Sequence, residues 1–322
     1  MMNRPVRIVF LDRETLPPQI VLRRPDFPHE IEIHQSTAAD EIAPRIREAD
    51  VVITNKVPVR GAALEGAANV RLIAIAATGY DVVDTEMCQA RGIVVSNIRD
   101  YAVNTVPEHT FALILSLKRS LPAYRPSVAA GDWQKSGQFC YFAGPMNDLA
   151  GSTIGIMGDG ALGKSVARLA EAFGMTVLFA AYKGTTTMGP LYTPFEEVLE
   201  RADVITLHCP LLPSTRNMIG AAEFARMTRR PIVINTARGG LVDEAALVEA
   251  LKAGRIGGAG FDVVTTEPPP EDHPFMQILD RPDFILTPHV AWGSTEAIQT
   301  LADQLIDNVE AWHRGTPTNL VV

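Results

Sequence analysis

Gly158-Asp159-Gly160-Ala161-Leu162-Gly163 is the stretch on which the reading of this chain turns. The apolar run Thr153-Ile154-Gly155-Ile156-Met157 comes before it, and residues 164–173 follow with Val166, Ala167, Leu169, Ala170 and Phe173 at helical spacing. The pattern is strand, glycine turn, helix. In such a turn the first glycine makes the bend tight, the second lets the backbone approach a pyrophosphate, and the third brings the helix close to the strand. A diphosphate then rests on unpaired N–H groups at the positive end of the helix dipole. Gly174 is placed to stop the helix before a second strand over 175–180. The glycine pattern alone would be weak, but with these flanks it predicts dinucleotide binding.

Beyond this unit the alternation of strand and helix is regular. Strand signals recur at 203–207, 232–235, 258–263 and 284–286. Thr193-Pro194-Phe195-Glu196 reads as a capping box opening one intervening helix, and 243–252 is another, ended by Gly254. This is the pattern of a doubly wound sheet.

The first hundred residues repeat the theme on a smaller scale. Strands are expected at 7–10, 31–34, 50–53, 72–76 and 93–95, and their unalternating apolar character suggests a parallel sheet buried on both faces. The loop Ala77-Thr78-Gly79-Tyr80-Asp81 follows the fourth strand, at the carboxyl end where open α/β sheets bind ligands.

Between the two halves, 104–119 is a helix that Asn104 can cap, with Pro107 tolerated in the first turn and Lys118 and Arg119 suiting its C-terminal end. Its centre is apolar nearly all round, which predicts burial between domains or against a partner subunit. A last helix over 294–314 carries the stripe Ile298, Leu301, Leu305, Ile306, Val309 and Trp312. Its return to the first domain would give an α/β chain of two doubly wound parallel-sheet domains. A Rossmann nucleotide domain, 101–290, would be inserted into a flavodoxin-like substrate domain built from 1–100 and 291–322.

Composition narrows the function. A length of 322 residues suits about two domains, and 47% hydrophobic with 20% charged residues is ordinary for a globular chain. A formal net charge of −8 without basic runs argues against nucleic acid or an anionic membrane as partner, while leaving small anionic substrates open. The N-terminus lacks a signal-peptide core, and the apolar run at 72–77 is far short of a membrane span. Cys88, Cys140 and Cys209 are scattered without metal-ligand spacing, so no metal site is expected and free thiols in a reducing cytoplasm are.

Three ionisable residues follow strands of the nucleotide domain: Arg238 in Asn235-Thr236-Ala237-Arg238-Gly239-Gly240, Glu267 in Thr265-Thr266-Glu267-Pro268, and His289 in Thr287-Pro288-His289. Hydride transfer between a nicotinamide and a carbonyl needs a proton donor at the carbonyl oxygen, a cation for a substrate carboxylate, and a group that tunes the donor. Histidine titrates near neutrality, arginine offers a planar fork for a carboxylate, and a carboxylate beside an imidazole favours its protonated form.

With these motifs, together with His208-Cys209-Pro210-Leu211, Leu241-Val242-Asp243, Asp262 and Val290-Ala291-Trp292, the chain resembles the D-isomer-specific 2-hydroxyacid dehydrogenase family. Within it the similarity is to the glycerate dehydrogenases, also called hydroxypyruvate reductases. The resemblance implies His289 as general acid/base, Glu267 as its partner, and Arg238 as carboxylate anchor, with backbone N–H groups of Thr78 and Gly79 also at the substrate. It implies NAD(P) contacts from Gly158, Gly160, Ala161, Leu162, Gly163, Ala181, Tyr182, Lys183, His208, Cys209, Pro210, Thr215, Thr236, Ala237, Arg238, Asp262, His289 and Ala291, with Asp262 near the nicotinamide carboxamide. The implied reaction interconverts hydroxypyruvate or glyoxylate and D-glycerate or glycolate, with hinge closure on ligand binding. The implied assembly is a homodimer whose interface includes Trp133 and 139–142.

One position departs from the family pattern. NAD-preferring relatives carry an acidic residue at the end of the second nucleotide-domain strand, where this chain has Ala181 followed by Tyr182-Lys183-Gly184-Thr185-Thr186. Loss of the carboxylate removes repulsion against a 2′-phosphate, and Lys183 with Thr185 could bond one, so NADP(H) acceptance is expected. Two other readings stay open: a dehydrogenase for a different 2-hydroxy acid, and a nucleotide-sensing, corepressor-like regulator. Intact Arg238, Glu267 and His289 and the lack of a docking tail weigh against the regulator. A phosphoglycerate enzyme is expected to carry a further regulatory domain.

Overall fold

In the computed structural model, which describes residues 4–185 and 188–322, the chain divides into two units, Met1–Tyr101 with Gly293–Val322, and Ala102–Trp292. Thr186 lies outside the described residues.

The first unit is built on strands β1 (Val6–Phe10), β2 (His29–Ile33), β3 (Val51–Thr54), β4 (Leu72–Ile75) and β5 (Val94–Ser96), all parallel, in the order β2-β1-β3-β4-β5. Every residue of β3 and β4 is buried, whereas the edge strand β2 is polar and largely open. This is the two-face burial that the unalternating apolar runs predict. Helix Thr295–His313 belongs to this unit and packs on β4, opened by Ser294, whose Oγ accepts the Ala297 N–H at 3.1 Å. Ile298, Leu301, Leu305, Ile306 and Val309 are buried along its inner stripe, and Trp312 is half-buried. The chain then runs antiparallel beside β5, with the Val321 N–H on Val95 O at 2.8 Å.

The second unit holds β6 (Thr153–Met157), β7 (Thr176–Ala180), β8 (Tyr192–Thr193), β9 (Val204–Leu207), β10 (Ile232–Asn235), β11 (Gly258–Phe261) and β12 (Phe284–Leu286). All are parallel, in the order β12-β11-β10-β9-β6-β7-β8. Counted from β6, this is the strand order of a dinucleotide-binding sheet with one strand added. Both doubly wound sheets of the expected α/β fold are therefore present. Helix Thr105–Lys118 lies on β10 and β11, with Val106, Phe111, Leu113 and Ile114 buried. Gly260 permits that approach, because a Cβ there would stand 3.1 Å from Leu113 Cβ.

Local details depart from the sequence reading. β8 has no strand signal, being two residues long and held by the Ala181 N–H on Thr193 O at 2.8 Å. That pairing takes Thr193 out of the capping role expected for it; Pro194 occupies the N-cap of helix Phe195–Arg201 and no side chain caps it. Asn104 is itself helical and likewise makes no side-chain cap bond. Asp243 does cap, its Oδ1 accepting the Ala246 N–H at 3.0 Å.

Because the second sheet is wholly parallel, the segments after β6, β7, β9, β10, β11 and β12 emerge on one edge. The connections reverse direction between β6 and β9, which opens the crevice where such sheets bind ligands.

Candidate active site

At the reversal point the turn 158–163 meets the segment after β9. Gly158 has φ +112°, and a Cβ there would stand 2.5 Å from His208 O and 2.9 Å from Cys209 N. Gly163 is forced for a different reason: its Cβ would strike Gly158 O at 2.0 Å. A Cβ at Gly160 would meet no protein atom within 4 Å, so the fold itself makes no demand for glycine there. Gly160 is also the N-cap of helix Ala161–Ala172, and among the described residues no side chain makes a cap bond there. Open first-turn donors beside a bare glycine fit a pyrophosphate. Ala161 is exposed, Leu162 half-buried and Gly163 buried.

Neighbouring groups along this crevice are polar. His208 Nε2 lies 2.9 Å from Thr206 Oγ1, while its buried Nδ1 has no partner among the described residues. Burial pushes its pKa down to about 4, so the ring is neutral at physiological pH. Cys209 contacts Met218 Sδ at 3.8 Å, and burial pushes its thiol up to about 11. Thr215 Oγ1 accepts the Leu212 N–H at 2.7 Å and donates to Pro210 O at 2.7 Å, pinning the segment after β9. Thr236 is buried and shares a hydrogen bond of 3.0 Å with Thr110.

After β11, the buried carboxylate of Asp262 organises the segment after β12. It accepts N–H bonds from Val290 at 3.0 Å and Ala291 at 2.8 Å and the Thr287 hydroxyl at 2.5 Å. The His289 N–H bonds Asp262 O at 2.8 Å, and Trp292 Nε1 donates to His289 O at 2.8 Å. These bonds hold His289 at φ +54°. For a histidine this conformation costs about 1–2 kcal/mol, and such strain gathers at functional sites when the surroundings over-determine it.

The half-buried imidazole of His289 presents Nδ1 to Glu267 Oε2 at 2.6 Å. Glu267 Oε1 accepts the Val264 N–H at 3.2 Å, closing a small ring at the end of β11. The turn after β10 presses on the same segment: Gly239 lies so close that a Cβ would stand 2.0 Å from Val264 C. Within this turn Asn235 accepts the Ala237 N–H at 3.1 Å and donates to Arg238 O at 2.9 Å. Arg238 is exposed, its Nη1 bonded to Ala237 O at 2.7 Å, and among the described residues no carboxylate pairs with it. Three adjacent strand ends thus bring the histidine and carboxylate into contact and set the arginine turn against the carboxylate's loop.

On the other side of the reversal point, Ala181 is buried and Tyr182 exposed. Lys183, expected to face a 2′-phosphate, has partners within the protein. Its Nζ pairs with Glu223 at 2.8 Å and bonds Met218 O at 3.0 Å. In the first unit, Thr78 and Gly79 follow β4; Thr78 Oγ1 donates to Ile98 O at 2.8 Å and Asn97 Nδ2 to Thr78 O at 2.7 Å. Among the described residues no group of three or more His, Cys, Asp or Glu side chains is placed to hold a metal, and no helix is long and apolar enough to cross a membrane.

Sequence reasoning missed several supporting groups. Asn235 stands directly before the Thr236-Ala237-Arg238 motif, and Thr287 two residues before His289. His109 Nε2 bonds Thr287 Oγ1 at 3.1 Å; its signal was a single imidazole on a mostly apolar helix. The buried His273 bonds Glu244 at 2.9 Å, and Glu244 accepts the Thr265 N–H at 2.7 Å, two residues before Glu267.

A dinucleotide turn with a histidine–carboxylate pair at neighbouring strand ends defines a nucleotide-dependent dehydrogenase site. Residues 111–291 match the D-isomer specific 2-hydroxyacid dehydrogenase, NAD binding domain, and the chain belongs to the D-isomer-specific 2-hydroxyacid dehydrogenase family. It is 54% identical over 316 residues, 98% of each chain, to a glycerate dehydrogenase of Methylorubrum extorquens. It is 36% identical over 288 residues, 88% of each chain, to a hydroxypyruvate reductase of Blautia hydrogenotrophica. The crystal structure of an NADPH-dependent glyoxylate/hydroxypyruvate reductase from Sinorhizobium meliloti, in complex with citrate, superimposes with a TM-score of 0.84 at 30% identity, covering 99% of this chain and 98% of that one.

Proposed function

We propose that the chain is an NAD(P)-dependent oxidoreductase that interconverts a short 2-keto acid, hydroxypyruvate or glyoxylate, and its D-2-hydroxy acid, D-glycerate or glycolate. The observation that carries the reading is the 2.6 Å bond between His289 Nδ1 and Glu267 Oε2 at the carboxyl edge of the dinucleotide sheet. The names of the similar enzymes supply the substrate class.

A bound nicotinamide nucleotide supplies or takes up the hydride at C2 of the acid. Glu267 accepts the Nδ1 proton of His289 and fixes the ring, which leaves Nε2 for the substrate oxygen. In reduction protonated His289 donates from Nε2 to that oxygen; in oxidation the neutral ring takes the hydroxyl proton. Arg238, which pairs with no carboxylate among the described residues, offers its fork to the substrate carboxylate. The backbone N–H groups of Thr78 and Gly79 enter as further carboxylate contacts on the strength of the family resemblance. Asp262, fixed by the Val290 and Ala291 N–H groups, holds the segment that bears His289. His289→Ala is expected to bind nucleotide normally and lose turnover; near-normal turnover would remove His289 from the mechanism.

The cofactor range extends to NADP(H). That reading leans on Ala181, which brings no carboxylate against a 2′-phosphate, since Lys183 is already engaged with Glu223. The assembly is a homodimer formed through the segment after helix Thr105–Lys118. There Leu121, Trp133, Phe139, Phe142 and Met146 are exposed, Phe139 to 90%, a cluster that a solvated surface does not favour. Replacing Phe139 and Phe142 by Ser is expected to yield monomers by light scattering. The three free thiols, those of Cys88 and Cys209 held protonated by burial, suit a reducing cytoplasm. Small acids are the partners, and the net charge of −8 offers nothing to nucleic acid or an anionic membrane.

A further inference from the structure

The glycine turn contains a carboxylate that the proposed reaction does not use. Asp159 stands between Gly158 and Gly160, and its Oδ2 accepts a hydrogen bond of 2.7 Å from the Tyr192 hydroxyl. Tyr192 lies on β8, in register with Phe179 of β7, and β7 separates β8 from β6. A side chain on β8 that reaches the turn after β6 must pass over the carboxyl end of β7, where Ala181 stands. In dinucleotide folds the adenosine ribose rests at that strand end, and an acidic residue there bonds its 2′-hydroxyl. Ala181 cannot do this, whereas the Tyr192–Asp159 bond brings a carboxylate to the same rim.

The electrostatics of the rim follow from the hydrogen bonds. The phenol of Tyr192 holds the Asp159 carboxyl below the usual carboxylate range, and Lys164 in the following helix adds a weaker pull in the same direction. Asp159 is therefore ionised at neutral pH. Its side-chain partner is a neutral hydroxyl, and among the described residues no ion pair cancels the charge. Lys183, the cation nearest in sequence to the end of β7, is spent on Glu223 at 2.8 Å and the Met218 carbonyl at 3.0 Å.

We propose that Asp159, steered by Tyr192, is the specificity-determining carboxylate of the adenosine subsite. It takes over the acceptor role vacated at position 181, bonds the ribose 2′-hydroxyl and disfavours a 2′-phosphate. It thereby biases an enzyme that accepts both nucleotides towards NAD(H). The inference rests on the nucleotide site proposed above and adds to it the residue that ranks the two cofactors.

Calorimetric titration with 5′-AMP and with 2′,5′-ADP reads this without turnover. Asp159→Asn keeps the size and the hydrogen bond to Tyr192 but removes the charge. It is expected to strengthen 2′,5′-ADP relative to 5′-AMP by about tenfold or more. Tyr192→Phe keeps the charge and is expected to move the ratio by less than about threefold. The proposal is overturned if Asp159→Asn leaves the ratio at its wild-type value, or if Tyr192→Phe, which retains the carboxylate, shifts it further than Asp159→Asn does. Failure of the unaltered protein to bind either fragment, NADH or NADPH would bring down the nucleotide site itself and this inference with it.

Discussion

His109 and Thr287, 178 residues apart in sequence, meet at 3.1 Å through the imidazole Nε2 and the hydroxyl. Thr287 spends its one proton on Asp262 Oδ1 at 2.5 Å, so Nε2 of His109 is the donor in this pair. A helix that covers the sheet is thereby connected, through one hydroxyl, to the buried carboxylate that shapes the segment bearing His289.

Thr287→Val keeps the shape and deletes the hydroxyl. Asp262, 1% exposed, would lose a donor and His109 an acceptor. Stability should fall by about 1–2 kcal/mol in urea denaturation. Because the damage reaches His289 through its backbone rather than through substrate, kcat should fall by about tenfold with KM moving little. A rise in KM at constant kcat would mean that Thr287 serves binding instead.

Glu267→Gln tests the tautomer argument. Oε1 of Glu267 accepts the Val264 N–H and Oε2 faces His289 Nδ1. A glutamine that keeps its oxygen on Val264 turns its NH2 towards Nδ1, which forces the neutral ring into the other tautomer and withdraws support from the imidazolium. Steady-state rates should drop by about 10²–10⁴ with nucleotide affinity preserved by fluorescence titration. Unchanged kcat would show that the contact is structural.

These supports mark where the sequence stopped being readable. The fold class followed from local signals: the glycine turn, the apolar strand runs, and the stripe of helix Thr295–His313. So did the placement of Arg238, Glu267 and His289 beyond the ends of β10, β11 and β12, because each follows a strand signal. The scaffold behind them did not, because its members are joined only by tertiary contact. Nothing local to His109 indicates Thr287, and nothing local to Thr193 says that its carbonyl is claimed by the Ala181 N–H. The same holds for Lys183, whose partner Glu223 comes from the distant helix Ala221–Arg226.

Glu244 and His273 form a latch behind Glu267. His273 Nδ1 accepts the Phe275 N–H at 3.2 Å, so Nε2 carries the proton given to Glu244 at 2.9 Å. Both Glu244 oxygens accept, one from His273 and the other from Thr265 N–H. Glu244→Gln must set an NH2 against one of these donors, which should cost about 1–3 kcal/mol in stability. With the loop before Glu267 released, kcat should fall further than that loss of stability explains. Activity per folded molecule, measured well below the melting temperature, distinguishes the two.

His208 gives the fold a pH dependence. Its pKa is pushed down to about 4 in the folded chain by burial, against an ordinary value of 6.5. Between those values the unfolded chain binds the proton and the folded chain does not, so stability rises with pH across that window. The contribution is complete above about pH 6.5 and drains away on acidification towards pH 4, on the order of 1–3 kcal/mol. His208→Asn should flatten this part of the stability curve in denaturant titrations run from neutral pH downwards. An unchanged slope would assign the acid sensitivity to other groups.

Gly160 and Gly163 separate what the fold requires from what the ligand requires. A Cβ at Gly163 would lie 2.0 Å from Gly158 O, and the obstacle is backbone at the heart of the turn, so Gly163→Ala must displace the helix from β6. Large destabilisation is expected, visible as a lowered melting temperature without any nucleotide present. A Cβ at Gly160 meets no protein atom within 4 Å, and the residue's φ of −67° is open to any L residue. Gly160→Ala should therefore melt like the unaltered protein. It should nevertheless bind NADH and NADPH more weakly, by about tenfold or more, because the added methyl occupies the approach of the pyrophosphate to the first-turn N–H groups. If Gly160→Ala bound both nucleotides normally, the diphosphate would have to be held somewhere other than the start of helix Ala161–Ala172.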